Sequence, residues 1–331
     1  DTTAAPIARG FKDYQGRMYA IGTAQSMFWS NVGTATDWTN DSSSIDIPGP
    51  GRLNTLMKVD DRLIPTKNYG NMYKWDGFNL VDMATNLGPT SPQSIGTVEG
   101  FAFWLNRLGE FTYGGNKPEL ISNPIERIIY NDAGEGIIGT TFDNAPGIIH
   151  RYDYFLSVGT VTDNLTDETI SNAILVYDFQ LNEHRTYAFN DRPTAWNSYK
   201  DASGDQQLIF GAGNQCYTYG GTNTTDNGAT IESVLEFAIH AGSPAKDKEW
   251  KYCTFMFNPG CQAKVQVAAA NTFTKGKKNW IDLGDATDGV VEYKPGGLRS
   301  RLLFVKIYEA SRNARFSFFG FSYEADVIER K

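Results

Sequence analysis

Arg17-Met-Tyr-Ala-Ile-Gly22, a short polar turn, then Ser26-Met-Phe-Trp29-Ser30 is the stretch whose reading decides the fold. Two short apolar runs separated by turn residues, the second closing on an aromatic, read as a β-hairpin. The same unit recurs as Arg62–Thr66 with Asn71–Trp75, and as Phe101–Leu105 with Glu110–Tyr113. It recurs again as Tyr152–Val158 with Ala173–Asp178, and as Gln207–Gly211 with Cys216–Tyr219. The closing aromatics are spaced by 46 (29 to 75), 38 (75 to 113), 64 (113 to 177) and 42 (177 to 219) residues. The long step contains a polar insertion, Thr160 to Ser171. The other steps fall near the roughly 40–50 residues of one propeller blade. A blade is a four-stranded antiparallel sheet that cannot cover its own faces, so blades stack radially.

Further strands fit between the hairpins, at Ile45–Ile47, Thr55–Val59 and Gly147–His150. After Thr230 the hairpin unit stops. Ile231–His240, Trp250–Phe257, Ala263–Ala270, Leu302–Tyr308 and Arg315–Ala325 read as longer strands, with turns at Asn258-Pro-Gly-Cys261 and Lys294-Pro-Gly-Gly297. Such a run without a blade unit reads as an antiparallel β-sandwich. The expectation is therefore an all-β chain: a β-propeller over residues 1–225 with about five recognisable blades, then a β-sandwich over 226–331. Gly220–Thr230 reads as the linker or long turn. No sustained helical period is present.

Composition agrees. Of 331 residues, 13% are aromatic, 40% hydrophobic and 21% charged, with 33 glycines, which suits short strands and tight turns and excludes disorder by charge excess. The net charge of −8 leaves no general grip on phosphates, so nucleic-acid binding as the main task is disfavoured. No run approaches the roughly 18–20 apolar residues of a membrane span. Asp1 is not an initiator methionine and no apolar leader follows it, so a processed or trimmed chain is expected. Cys216, Cys253 and Cys261 cannot all pair; Cys253 and Cys261 would face each other across a turn, and reduced, half-buried thiols are the plainer reading.

The candidate chemistry is sparse. His150, His184 and His240 are far apart and lack metalloprotease or triad spacing, and there is neither a nucleophile elbow nor a phosphate loop. Gly211-Ala-Gly-Asn-Gln215 reads as a hairpin turn. Asp282, Asp285, Asp288 and Glu292 recur every three or four positions, whereas a calcium loop of the EF-hand type places ligands at every second one. They read as a solvated acidic turn. Asp13, Asp60, Asp61, Asp153 and Asp178 lie near strand ends and would converge on a propeller axis, as a glycosidase carboxylate pair requires; turn-forming aspartates are the plainer reading. Trp38, Trp104 and Trp196 would stack on sugar rings or pack between blades. No catalytic, metal or cofactor residue is assigned.

Four motifs carry a resemblance. Phe28-Trp-Ser-Asn-Val-Gly-Thr-Ala-Thr-Asp-Trp38 is similar to a blade ending, and Met72-Tyr-Lys-Trp-Asp-Gly77 follows Leu53–Arg62 in the same manner. Thr225–Ile231 looks like the junction into a C-terminal sandwich that Trp280–Gly284 and Arg301–Arg330 close. In these features the chain resembles bacteriophage virion proteins of the β-propeller tail class, above all podophage tail-hub and packaged-DNA-stabilisation proteins. The resemblance implies a non-enzymatic structural protein of the virion, at the tail hub or head–tail junction, assembled as a homo-oligomeric ring with other phage virion proteins around the DNA passage. Such a protein has no cofactor, no membrane and no specific nucleic-acid binding. The alternative is an extracellular propeller that binds or cleaves glycans. Phe316, Phe318 and Gly320 on one face of the last strand, and Ser317, Phe319 and Phe321 on the other, are the expected copy-to-copy contact.

Overall fold

The computed structural model describes residues 7–22, 25–38, 43–84, 86–129, 144–163, 168–220, 225–226, 229–230, 233–242, 245–258, 263–271, 278–286, 289–295, 297–309 and 318–328. It is all-β: among the described residues the α-helix amounts to one turn, α1 (Glu126–Ile129). The chain divides into two compact units, residues 1–162 with 169–219, and residues 163–168 with 220–331.

The first unit is a succession of antiparallel meanders. Sheet 1 is β1 (Gly10–Tyr14), β2 (Arg17–Ile21), β3 (Ser26–Trp29) and β4 (Ser43–Asp46) in that order. Sheet 2 is β5 (Leu53–Val59), β6 (Arg62–Lys67), β7 (Met72–Trp75) and β8 (Leu80–Ala84). Sheet 3 is β9 (Gly96–Val98), β10 (Phe101–Asn106), β11 (Gly109–Tyr113) and β12 (Pro118–Leu120). Sheet 4 is β13 (Gly147–His150), β14 (Asp153–Asp163), β15 (Glu168–Asp178) and β16 (Glu183–Ala188). Sheet 5 has three strands, β17 (Ala195–Lys200), β18 (Gln206–Ala212) and β19 (Gln215–Tyr219). In every sheet the repeated hairpin of the sequence supplies the second and third strands.

Each sheet is covered by its neighbours in chain order. Tyr14, Tyr19 and Met27 of sheet 1 share a buried core with Leu53, Leu63 and Trp75 of sheet 2. Met57, Ile64 and Met72 then meet Trp104, Phe111 and Tyr113 of sheet 3. From the opposite face of sheet 3, Phe103 and Leu105 meet Tyr154, Leu156 and Leu175 of sheet 4. Phe155, Ile174 and Val176 close on Leu208 of sheet 5. Adjacent residues such as Phe103 and Trp104 therefore lie in different cores. Gly70 marks one tight point: its φ is +84°, and a Cβ there would lie 2.8 Å from the Asn86 backbone.

The second unit includes the small hairpin of β20 (Thr225–Asp226) and β21 (Ala229–Thr230), which occupies part of the expected linker. Its remaining strands are β22 (Ser233–Ile239), β23 (Lys248–Phe257), β24 (Ala263–Ala270), β25 (Ile281–Ala286), β26 (Val290–Tyr293), β27 (Leu298–Ser300), β28 (Leu302–Glu309) and β29 (Phe318–Val327). One sheet runs β22-β28-β24-β25; in the other, β23 pairs with β26 and β27 on one flank and with β29 on the other. Trp250, Cys253 and Phe255 share one core with Val265, Val305 and Ile307 of the first of these sheets. Cys253 is a free thiol that burial pushes up to about 11.

Three expectations change. The polar insertion is largely strand, since β14 and β15 extend to Asp163 and from Glu168; alternating Thr, Val and Ile residues keep the hairpin running. The acidic turn is two strands, with Asp282 and Asp285 on β25 and Glu292 on β26, while Asp288 lies outside the described residues. The alternation of the last strand is broken by a register shift at Met256/Phe257. Phe318 and Phe321 therefore both pack on the core and Phe319 is left 69% exposed. Phe316 and Ser317 lie outside the described residues.

The Trp250 side chain is fully buried and its indole N–H donates to Ser300 Oγ at 3.0 Å. Trp250→Ala is expected to cost about 3–5 kcal/mol. Hydrogen exchange would show it as lost protection across β23, β24 and β28.

Candidate functional site

Among the described residues of the first unit, two groups of ionisable side chains meet at sheet 4, one on each of its faces. The more enclosed is Glu110 with His184. Glu110 stands opposite Leu105 on sheet 3, on the face that packs against sheet 4. His184 stands opposite Tyr177, with the ring centroids 4.7 Å apart. Glu110 Oε2 lies 2.9 Å from His184 Nε2, and each side chain is only 1% exposed. Glu110 Oε1 and His184 Nδ1 have no hydrogen-bond partner. Nearby Tyr154 donates its hydroxyl to the Ser94 carbonyl at 2.6 Å, and burial, with the Glu110 charge, pushes its phenol well up. A carboxylate holding an imidazole is the pairing of a general base, but enclosure at this level gives a substrate no route to it. What the pair does is join the third strand of one sheet to the fourth strand of the next.

The second group lies on the opposite face of sheet 4, beside sheet 5. Arg185 Nη2 donates to Asp178 Oδ2 at 2.6 Å and Nη1 lies 3.9 Å from Asp153 Oδ1, within ion-pair range but too far for a hydrogen bond. Asp178 Oδ1 accepts the backbone N–H groups of Leu181 and Gln180, which hold its carboxyl below the usual range. Burial pushes the Asp153 carboxyl up and the His150 imidazole down. His150 stands opposite Asp153, and its Nδ1 has no hydrogen-bond partner. The phenol of Tyr219, on sheet 5, is pushed up chiefly by burial. Arg185 thus sits between the β13–β14 turn and the β15–β16 turn, at one end of the sheet.

The remaining candidates stay apart. Asp13 sits on β1, exposed, bonded to Lys58 Nζ at 2.8 Å. Asp60 and Asp61 form the β5–β6 turn, where Asp60 has φ +49° and the Asp61 carbonyl accepts the Tyr14 hydroxyl. His240 is exposed after β22. Gly213 turns the β18–β19 hairpin with φ +56°. Trp38 and Trp104 are buried, with the Trp104 N–H donating to the Leu87 carbonyl, and Trp196 packs among Phe155, Phe189 and Phe210. No group of three or more His, Cys, Asp or Glu suited to a metal ion is present among the described residues. Glu110 and Arg185 were not visible as candidates from the sequence.

No protein-family model matches the chain, and no curated protein matches it. Among solved structures it is similar to BBS1N in complex with ARL6DN, with 7% identity over 94% of this chain and 81% of that one and a TM-score of 0.41. The N-terminal domain of Nup159 gives 7% identity over 92% and 91%, with a TM-score of 0.37. The computationally designed Ika8 protein gives 10% identity over 61% of this chain and a TM-score of 0.38. The match spans about half of Ika8, 54%.

Removing one partner of a buried pair strands the other. Glu110→Ala is expected to lower stability by about 3–5 kcal/mol, whereas the double change Glu110→Leu with His184→Leu recovers most of the loss; urea titration of the three variants checks this. His150 makes a second, pH-dependent prediction. Its folded-state value lies below the unfolded one, so the unfolded chain takes up the proton first as the pH falls through the ordinary histidine range near 6.5. Stability is lost on acidification, by at most about 1.4 kcal/mol per pH unit from this group. His150→Gln is expected to flatten the urea midpoint between pH 7.5 and 5.5 relative to the parent. Asp153 acts with the opposite sign, nearer its ordinary value of 3.8.

Proposed function

We propose that the chain is a non-enzymatic structural component of a bacteriophage virion, built as a β-propeller followed by a β-sandwich. On this reading the five meanders are blades arranged about one axis, and the two sheets around Trp250 are the halves of the sandwich. The observation that carries it is the use of the candidate residues. Glu110 and His184 join two sheets from inside, Arg185 occupies Asp153 and Asp178, and Trp38 and Trp104 are buried in packing. Polar groups spent in this way support a scaffold that presents edges and loops to neighbours. The sequence motifs favour a tail hub or head–tail junction, with several copies closed into a ring. The net charge of −8 suits a wall beside DNA, because it does not trap phosphates.

Mass spectrometry of purified particles from the phage that encodes the chain, with gold-labelled antibody in negative stain, tests this reading. The expected result is several copies per particle, labelled at the tail or its junction with the head. Absence from the particle, or turnover of chromogenic glycosides by the purified chain, overturns it and favours the glycan alternative.

A further inference from the structure

Sheets 1 to 4 are antiparallel meanders, so in each the turn between the first two strands and the turn between the last two leave from the same end. Contacts between turns join these four ends into one surface. The Gly33 N–H donates to the Gly16 carbonyl within sheet 1, and Gln15 Nε2 donates to the Asp76 carbonyl of sheet 2 at 3.2 Å. Arg62 Nη1 of sheet 2 donates to the Gly115 carbonyl of sheet 3 at 3.0 Å. Phe103 of sheet 3 stacks on Phe179 of sheet 4 with centroids 5.4 Å apart, and the Phe179 N–H donates to the Tyr152 carbonyl. Five large apolar side chains stand out from this end. Phe78 is 88% exposed, and Val32, Phe101, Tyr152 and Leu181 are 48–62% exposed. Scattered singly such residues need no explanation; gathered at one end of four packed sheets, they mark an interaction surface.

Phe78 is held where it stands. Asp76 Oδ1 accepts the backbone N–H groups of Phe78 and Asn79 at 2.9 and 2.7 Å, and Oδ2 accepts the Asn79 side-chain amide at 3.2 Å. The turn therefore offers an aromatic ring on a fixed backbone, which leaves little ordering cost for a partner to meet. The surrounding turns of sheets 2 and 3 carry Asp60, Asp61, Asp76 and Glu99 against Lys117, and the adjacent Arg62 is engaged with the Gly115 carbonyl. Among the described residues, none of these four acids forms an ion pair. We propose that this end docks a different protein, with Phe78 entering an apolar pocket that Lys and Arg side chains rim. This rests on the structural reading proposed above and names the chemistry of the neighbour. The ring supplies the anchor, and the unpaired carboxylates select and steer the partner. A second copy is the poorer match: the first unit carries 15 Lys and Arg against 22 Asp and Glu, and the second 15 against 16.

Site-specific photocrosslinking in purified phage particles tests this. The full chain carries p-benzoylphenylalanine in place of Phe78 or, as the control, in place of Tyr69, which is exposed on the β6–β7 turn at the opposite end of sheet 2. The expected result is a crosslink from position 78, located by mass spectrometry in another virion protein, at an apolar segment with Lys or Arg beside it, and no crosslink to that segment from position 69. Combining Asp60→Asn, Asp61→Asn and Glu99→Gln, all at exposed positions, is expected to lower the crosslinked yield per particle about tenfold with thermal melting unchanged. Particles that contain the chain but show no crosslink from position 78, a crosslink to a second copy, to a glycan or to a segment without basic residues, or a yield indifferent to the three neutralised acids overturn this contact and leave the structural reading standing. Absence of the chain from the particles overturns that reading, and this contact with it.

Discussion

A sheet one strand-layer thick has two faces, and in the first unit both must be kept from water. That requirement orders everything else. Four successive buried cores, each shared by consecutive sheets, satisfy it for the three middle sheets, with neighbouring residues of one strand sent to different cores. At roughly 25 cal/mol per Å² of apolar surface removed from water, a fully buried ring or aliphatic side chain contributes about 1.5–3 kcal/mol. Phe103, Trp104 and Leu105 are three such residues in sequence, all at most 2% exposed. No single sheet of this length would hold its faces alone. The stability of sheets 2, 3 and 4 is therefore borrowed from the sheet on either side.

Covering both faces also explains where the polar groups sit. Once sheet 4 is enclosed, a charged residue on either face needs a partner from the next element or the next sheet, because an unpaired buried charge is strongly destabilising. Glu110 finds His184 across one face, and Arg185 finds Asp178 and Asp153 on the other. The two arrangements differ in kind. The first is shut away from solvent and joins two sheets; the second is partly solvated and ties the hairpin ends of one sheet.

The hairpins at Arg17–Ser30, Arg62–Trp75 and Phe101–Tyr113 were legible in the sequence because a turn flanked by apolar runs is a local signal. The strands of the second unit were legible for the same reason. Glu110 was not, because Glu110-Phe-Thr-Tyr113 alternates as a strand with one wet face would. Only the presence of the next sheet turns the Glu110 face inward. The stretch from Asp282 to Glu292 looked like a turn because its acidic spacing masks Leu283 and Val291, which pack on the core from β25 and β26. The bulge beside Phe319 depends on pairing with β23, a partner some sixty residues away in the chain, which local periodicity does not contain.

Amide hydrogen exchange along a denaturant series tests the dependence of each sheet on its neighbours most directly. Strands β6, β10 and β14 are the second strands of three consecutive sheets and meet through the cores they share. The account predicts one common slow limit for their amides and one common response to denaturant, because opening any of these sheets uncovers the next. Independent openings, with each sheet reaching its own limit while its neighbours stay protected, would contradict it.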